Sequence, residues 1–291
     1  AHPRRAEAVA FARRPGTFAL VLDCAAGRVA AELAAPPGRH FYGHGAFSAD
    51  GTRLYTTEND IEAARGVIGI WDAGRGYARV GEMDSGGTGP HEILRLPGTD
   101  MLVVANGGIE THPDTGRAKL NLPTMRPNLT YLAPDGRVLE VVALPEELRL
   151  NSIRHLAARP DGLVAAAMQW QGGAAEAPPL LLLHRRGEAP RRAAAPLAAQ
   201  MAMQGYAGSV AFSGDGRRVA ITSPRGGQAH LFDAETGAFA AAHAAPDICG
   251  VAPAPGGVLA TTGTGRLLPL GGEGPAATHP VAWDNHLVAL A

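Results

Sequence analysis

A chain of 291 residues with 26 Lys and Arg against 27 Asp and Glu has a formal net charge of -1 and no basic face to meet phosphates, which argues against a nucleic-acid binder. Hydrophobic residues make up 46% and aromatics only 5%, so a large core is possible but must rest on Ala, Val, Leu and Ile. The 38 Gly and 23 Pro point to many tight turns and few long helices, and no apolar run approaches the roughly 18 residues of a membrane helix, so no membrane insertion is expected.

The N-terminal third opens with three strand-like segments, EAVAFARR (7–14), TFALVLDC (17–24) and RVAAELAA (28–35). A recurring phrase then begins: an apolar strand, a Pro/Asp/Gly turn and a second apolar strand. Its copies are HGAFSADGTRLYTTE (44–58), HEILRLPGTDMLVVAN (91–106), HLAARPDGLVAAAMQ (155–169), SVAFSGDGRRVAITS (209–223) and GVAPAPGGVLATTGT (250–264). A sixth start, HLVALA, occupies 286–291. The starts lie 36 to 64 residues apart, near the period of about 40–50 at which propeller blades repeat. Asp-Gly and Pro-Gly are the residues a tight hairpin demands. Third strands follow most copies, as in GVIGIWDAG (66–74), NLTYLAPDG (128–136), LLLLHRRG (180–187) and QAHLFDAETG (228–237), and a more polar fourth closes the blade, as in YARVGEM (77–83) and VLEVVALP (138–145).

The expected fold is therefore all-β: a single β-propeller domain over residues 1–291, with about six four-stranded blades. Seven are possible if Glu146–Leu150 or the 190–205 stretch hides strands. The orphan 286–291 segment is expected to supply the inner strand for the three N-terminal ones, pairing Trp283–Ala291 with Glu7–Arg13 and closing the ring. A β-sandwich would not explain the repeat. Cys24 and Cys249 fall in different blades, which makes a bridge between them unexpected.

Aligning the copies puts histidine in four of six first-strand positions: His44, His91, His155 and His286, with Ser209 and Gly250 in the others and Cys249 one residue before Gly250. One such His is more often a hydrogen-bonded structural residue. Four in register, in a chain with 11 His, favour a focused set of imidazoles at the channel mouth, a donor set for a transition-metal ion, iron or copper before zinc. An anion pocket or a proton relay would use the same residues. Additional mouth residues are Glu58, Asn59, His112, Trp170 and Arg225, on loops joining second and third strands. The loop of about 20 residues from Asn106 to Asn128 is long enough to be functional and would fold over the mouth with His112. His40 and Tyr42 are either partners orienting His44 or ordinary linker residues. Glu62, Asp114 and Lys119 read as solvated rim charges, and His184, His230, His243 and His279 as surface or packing residues towards the outside. No zinc-protease helix, nucleophile elbow, P-loop or dinucleotide fingerprint occurs.

The phrases RHFYGHGAFSADG, LYTTEND, RGVIGIWDA, GPHEILRLPG and VVANGGIETHPDTGRAKLNL, followed by IRHLA, MQWQG, GSVAFSGDG, TSPRGG and DICGV, resemble the DUF1513 family of bacterial proteins over nearly the whole chain. The resemblance implies a periplasmic propeller, exported by a twin-arginine signal. The start at Ala1-His2-Pro3, without Met, is that expected of a mature or trimmed terminus. Family members are commonly encoded beside imelysin-like and dihaem-peroxidase-like proteins, which points towards metal uptake, with other periplasmic uptake proteins as partners. The family carries no catalytic residues to transfer. The leading functional expectation is periplasmic metal binding for iron or copper acquisition or handling. The alternatives are a metal-dependent enzyme (a lactonase-like hydrolase or an oxidoreductase) and an interaction scaffold with structural histidines. A carboxylate ligand such as Glu58 or Glu92 would favour hydrolysis.

Overall fold

The Ser-x-Asp-Gly phrases fold as their chemistry requires. Ser48 and Ser213 each donate Oγ–H to the following aspartate, Asp50 or Asp215, at 2.6 Å. The same Oγ accepts the amide of Arg53 or Arg218 at 3.0 and 2.9 Å, locking the hairpin. The glycine that follows each aspartate has φ near +75° (Gly51) and +70° (Gly216), which a side chain would resist. These features come from a computed structural model, which describes residues 1–12, 16–116 and 118–288.

The chain forms two compact units, Ala1–Arg149 and a second from Leu150 onward. The first unit holds three antiparallel sheets, each a simple meander. They are β1 (Glu7–Phe11), β2 (Phe18–Asp23) and β3 (Arg28–Ala34); β4 (Arg39–Phe47), β5 (Arg53–Asp60), β6 (Arg65–Asp72) and β7 (Ala78–Asp84); and β8 (Pro90–Arg95), β9 (Leu102–Asn106), β10 (Asn128–Leu132) and β11 (Val138–Ala143). The second unit repeats the plan. Its sheets are β12 (Asn151–Ala158), β13 (Val164–Trp170), β14 (Leu181–His184) and β15 (Arg191–Ala193); β16 (Ser209–Phe212), β17 (Arg218–Ser223), β18 (Gln228–Asp233) and β19 (Phe239–Ala244); and β20 (Ile248–Ala254), β21 (Gly257–Thr262), β22 (Arg266–Leu270) and β23 (Ala277–Thr278). The α-helix of this unit is one short turn structure, α1 (Leu197–Ala202).

Successive residues on a strand point to opposite faces, and here both faces are buried. Leu54 of β5 packs with Ala19, Val21 and Leu33 of the preceding sheet, while Tyr55 packs with Ile93, Leu102 and Val104 of the following one. In the second unit Phe212 joins Leu163, Ala165 and Leu181, whereas Ala211 joins Val251, Val258 and Ala260. A sheet enclosed by sheets on both faces is the blade arrangement of a propeller, and the fold is all-β and consistent with that architecture.

Two expectations about strands are settled locally. Glu146–Leu148 is a 3-10 turn, and the 190–205 stretch holds β15 and α1, so neither adds a sheet among the described residues. The N-terminal sheet has three strands there, and β1 pairs with β2 alone. Residues 283–288 carry no strand, while Arg13 and 289–291, the rest of the expected pairing, lie outside the described residues. Cys24 and Cys249 are both free thiols, exposed and buried respectively. Among the described residues no helix is long and apolar enough to cross a membrane.

Candidate functional site

Among the described residues, the first strand of four of the six sheets is bulged near its start. Between Phe41↔Glu58 and Gly45↔Thr56, the stretch Tyr42, Gly43 and His44 faces Thr57 alone. Between Pro90↔Asn106 and Glu92↔Ala105, His91 is the extra residue. In the second unit Arg154 is extra in β12, and Cys249 with Gly250 faces Thr261 in β20. A bulge frees residues from the ladder and re-aims their side chains, and bulges gather next to functional sites. The sequence alignment set His155 level with His91. The structure shifts that register by one, since Arg154 occupies the bulge and His155 pairs with Ala167.

Each unit contains one histidine pair. In the first, the rings of His44 and His91 lie 5.2 Å apart at 42°, and His44 Nδ1 is 3.8 Å from Glu92 Oε1. Thr57 Oγ1 donates to the His44 carbonyl at 3.1 Å, replacing a ladder bond lost to the bulge. In the second, His155 and His286 meet edge to face at 5.4 Å. His155 is buried on β12, and burial, then the His286 ring, then the Arg154 guanidinium depress its pKa to about 3, so it is a neutral imidazole. His286 is exposed and stands on the strandless segment, where a first strand was expected.

The further mouth residues are placed differently from one another. Glu58 and Asn59 belong to β5, which runs on to Asp60, and both are buried rather than on a loop. Glu58 Oε1 accepts from Arg79 Nη1 at 2.7 Å and from Thr56 Oγ1 at 2.8 Å, and Arg39 lies 3.8 Å from Oε2. Arg39 and Arg79 also bond Glu82, whose pKa falls to about 2, chiefly through its hydrogen bond from Arg39. Asn59 Nδ2 is 3.4 Å from Nε2 of the buried His40, whose ring meets Tyr42. His112 caps the 3-10 turn Pro113–Thr115, its Nδ1 accepting the Asp114 amide at 3.2 Å. Trp170 Nε1 donates to the Gly173 carbonyl, and Arg225 stacks 4.4 Å over the Tyr206 ring. Of the histidines expected towards the outside, His279 is exposed, but His184 and His230 are core residues. His230 packs against Phe232 and Phe239 with neither ring nitrogen hydrogen-bonded. The Arg39–Glu58–Arg79 cluster left no motif in the sequence, because its members are scattered along different strands.

These features define an all-β protein of repeated antiparallel meander sheets that carries two histidine pairs, His44 with His91 and His155 with His286. It belongs to the DUF1513 family, described as a protein of unknown function, whose model matches residues 1–290. No curated protein matches the sequence. Among solved structures, the chain is similar in fold to dihydro-heme d1 dehydrogenase NirN in complex with DHE, with a TM-score of 0.56 and 15% identity over 90% of this chain and 51% of that one. It thus spans about half the length of NirN. The hydrazine synthase of Kuenenia stuttgartiensis also matches, with a TM-score of 0.44 and 16% identity over 76% of this chain and 71% of that one.

Proposed function

We propose that this chain is a periplasmic metal-binding β-propeller whose six sheets are blades of a single ring. His44, His91, His155 and His286 are the proposed ligands of one transition-metal ion, iron or copper before zinc, held for acquisition or handling. The observation that carries this reading is His155, a buried imidazole kept neutral beside a second imidazole. A neutral ring nitrogen is a ligand ready for a cation, whereas two protonated rings at that distance would repel. Glu92 supports it from the other pair: a carboxylate near His44 Nδ1 favours the tautomer that leaves Nε2 as donor. Other periplasmic metal-uptake proteins are the proposed partners.

Glu92 also favours a second reading, a metal-dependent hydrolase or oxidoreductase, if its carboxylate enters the coordination sphere beside an open position. Elemental analysis of protein purified without chelator or nickel resin tests both. Near-stoichiometric metal is expected, with His44→Ala, His91→Ala, His155→Ala and His286→Ala each losing most of it and His243→Ala losing none. Full occupancy in His91→Ala and His155→Ala would remove the reading. A Glu92→Ala variant that keeps the metal would favour binding over hydrolysis.

A further inference from the structure

The segment 279–288 lacks a regular strand, yet its contacts are ordered along its length. Its start is anchored where the His279 amide donates to the Gly265 carbonyl at 2.8 Å. The Trp283 carbonyl then lies 3.6 Å from Cys249 Sγ, on the bulge of β20. A Cβ on Gly250 would stand 2.9 Å from the Asp284 carbonyl oxygen and 3.1 Å from Leu287 Cβ. A Cβ on Gly208, just ahead of β16, would stand 3.1 Å from Asn285 Oδ1. Next in line, the His286 ring meets His155 on β12. Over this short stretch the chain touches the first-strand ends of all three sheets of the second unit, and glycine makes the room at two of the three crossings.

The floor under this segment is complete without it. Gly250 N donates to Thr261 Oγ1 at 3.0 Å and Val251 N to Ser209 Oγ at 3.3 Å, while Thr222 Oγ1 donates to the Cys249 carbonyl. Cys249 is 3% exposed, with Thr261 Oγ1 at 3.4 Å from Sγ and the Trp283 carbonyl above it. The segment itself is lightly held. Trp283, Asp284, His286 and Val288 are exposed, and no ladder pairs residues 283–288. Elements with few buried contacts and no ladder open at low free-energy cost. Of the four proposed ligands, His286 is the one not fixed on a strand.

We propose that residues 283–288 form a strap that a bound metal ion locks down: His286 joins His155 on the ion to close it, and when the strap lifts it withdraws one ligand, frees the ion and uncovers Cys249. This rests on the metal-binding reading and assigns the release step of the same site. An ion that binds the closed form better than the open one shifts the strap towards closure by that difference in affinity.

Thiol accessibility reads the strap directly, because Cys249 reports on it whether or not the protein is active. In a Cys24→Ser background, the labelling rate of Cys249 by a maleimide is measured with and without zinc chloride, with zinc binding followed in parallel by calorimetry. Zinc should slow labelling at least tenfold. His286→Ala, an exposed position that should not disturb folding, should remove that protection. Gly250→Ala, which crowds Asp284 and Leu287, should speed labelling at least tenfold with or without zinc. Zinc that binds while the labelling rate stays unchanged would overturn the strap and leave the metal reading standing. Absence of zinc binding together with absence of metal in the purified protein would overturn both, and a His286→Ala variant that keeps full protection would overturn the strap alone.

Discussion

Glu58 Oε1 accepts a hydrogen bond from Arg79 Nη1 at 2.7 Å inside a strand that the sequence ends too early. The carboxylate is wholly enclosed, its Oε1 held by Arg79 and Thr56 and its Oε2 3.8 Å from Arg39 Nη1 without a hydrogen bond, an arrangement that suits an anchor of its sheet. Hydrogen bonds to charged groups contribute about 1.5–3 kcal/mol. Glu58→Gln should therefore lower stability by about 2 kcal/mol in urea denaturation, at the low end for a charged pair because both arginines keep some contact with water. Metal content should not change. A variant of full stability that loses its metal would return Glu58 to the ligand set.

The same carboxylate fixes its neighbour. A Cβ on Gly69 would fall 1.9 Å from Glu58 Oε1 and 2.5 Å from Arg79 Nη1, so an added methyl must push the enclosed carboxylate and the guanidinium out of their positions. Gly69→Ala should cost about 1–3 kcal/mol, the usual range for overpacking. Because the clash is with Glu58, the double variant Glu58→Ala/Gly69→Ala should lose less than the sum of the two single losses. A denaturation cycle with strictly additive costs would contradict that.

His230 sets a pH dependence. Burial depresses its pKa to about 4 from an ordinary value near 6.5. Above pH 6.5 the ring is neutral in folded and unfolded chains alike, and pH has no effect through it. Below 6.5 the unfolded chain takes up a proton that the folded core refuses, so stability falls by about 1.4 kcal/mol per pH unit until the folded ring titrates near 4. His230→Phe should flatten the acid limb between pH 6.5 and 4 by that slope. Parallel stability curves for parent and variant would show that His230 is not the group responsible.

Asn121 ties down the long loop after β9. Its Oδ1 accepts the Glu110 amide at 2.7 Å and its Nδ2 donates to the Gly108 carbonyl at 2.9 Å. Asn121→Ala removes both bonds, each contributing about 1 kcal/mol, so opening of the loop should rise roughly tenfold or more. Limited trypsin cleavage at Lys119 or Arg126 should accelerate by that factor. His112, engaged locally with Asp114, should be replaceable by Ala with no change in metal content. Loss of metal in His112→Ala would make it part of the site.

The fold was legible where side-chain chemistry is local. The Asp-Gly turns, the apolar runs on either side of them and the polar outer strands such as β7 all appear in the sequence as they do in the structure. The site was legible only in outline. Histidine recurs near the starts of the repeats, but a bulge inserts a residue without any change in composition, so nothing in the sequence marks that Arg154 takes the bulge and His155 the ladder. Glu58 and Asn59 look like loop residues because they are polar, yet they are strand, since Arg79 and His40 supply their partners from elsewhere. His230 carries no mark of burial, because its environment is made by Phe239 of a different strand. The 286–291 run is apolar as an inner strand would be, but its start lies in a stretch to which glycines at 208 and 250 give room to lie across strand ends.

The sheet of β16 to β19 gives one face to a core rich in Leu and Phe and the other to a core rich in Ala and Val. A lesion in that sheet is therefore felt on two sides at once. Loosening Phe212 disturbs the sheet before it, and the backbone shift that follows carries Ala211 away from the sheet after it. The three sheets of the second unit have no cheap way to come apart one at a time, and heat should take them through a single cooperative transition, even though the chain is built from repeats that in a more open array would unzip from the end.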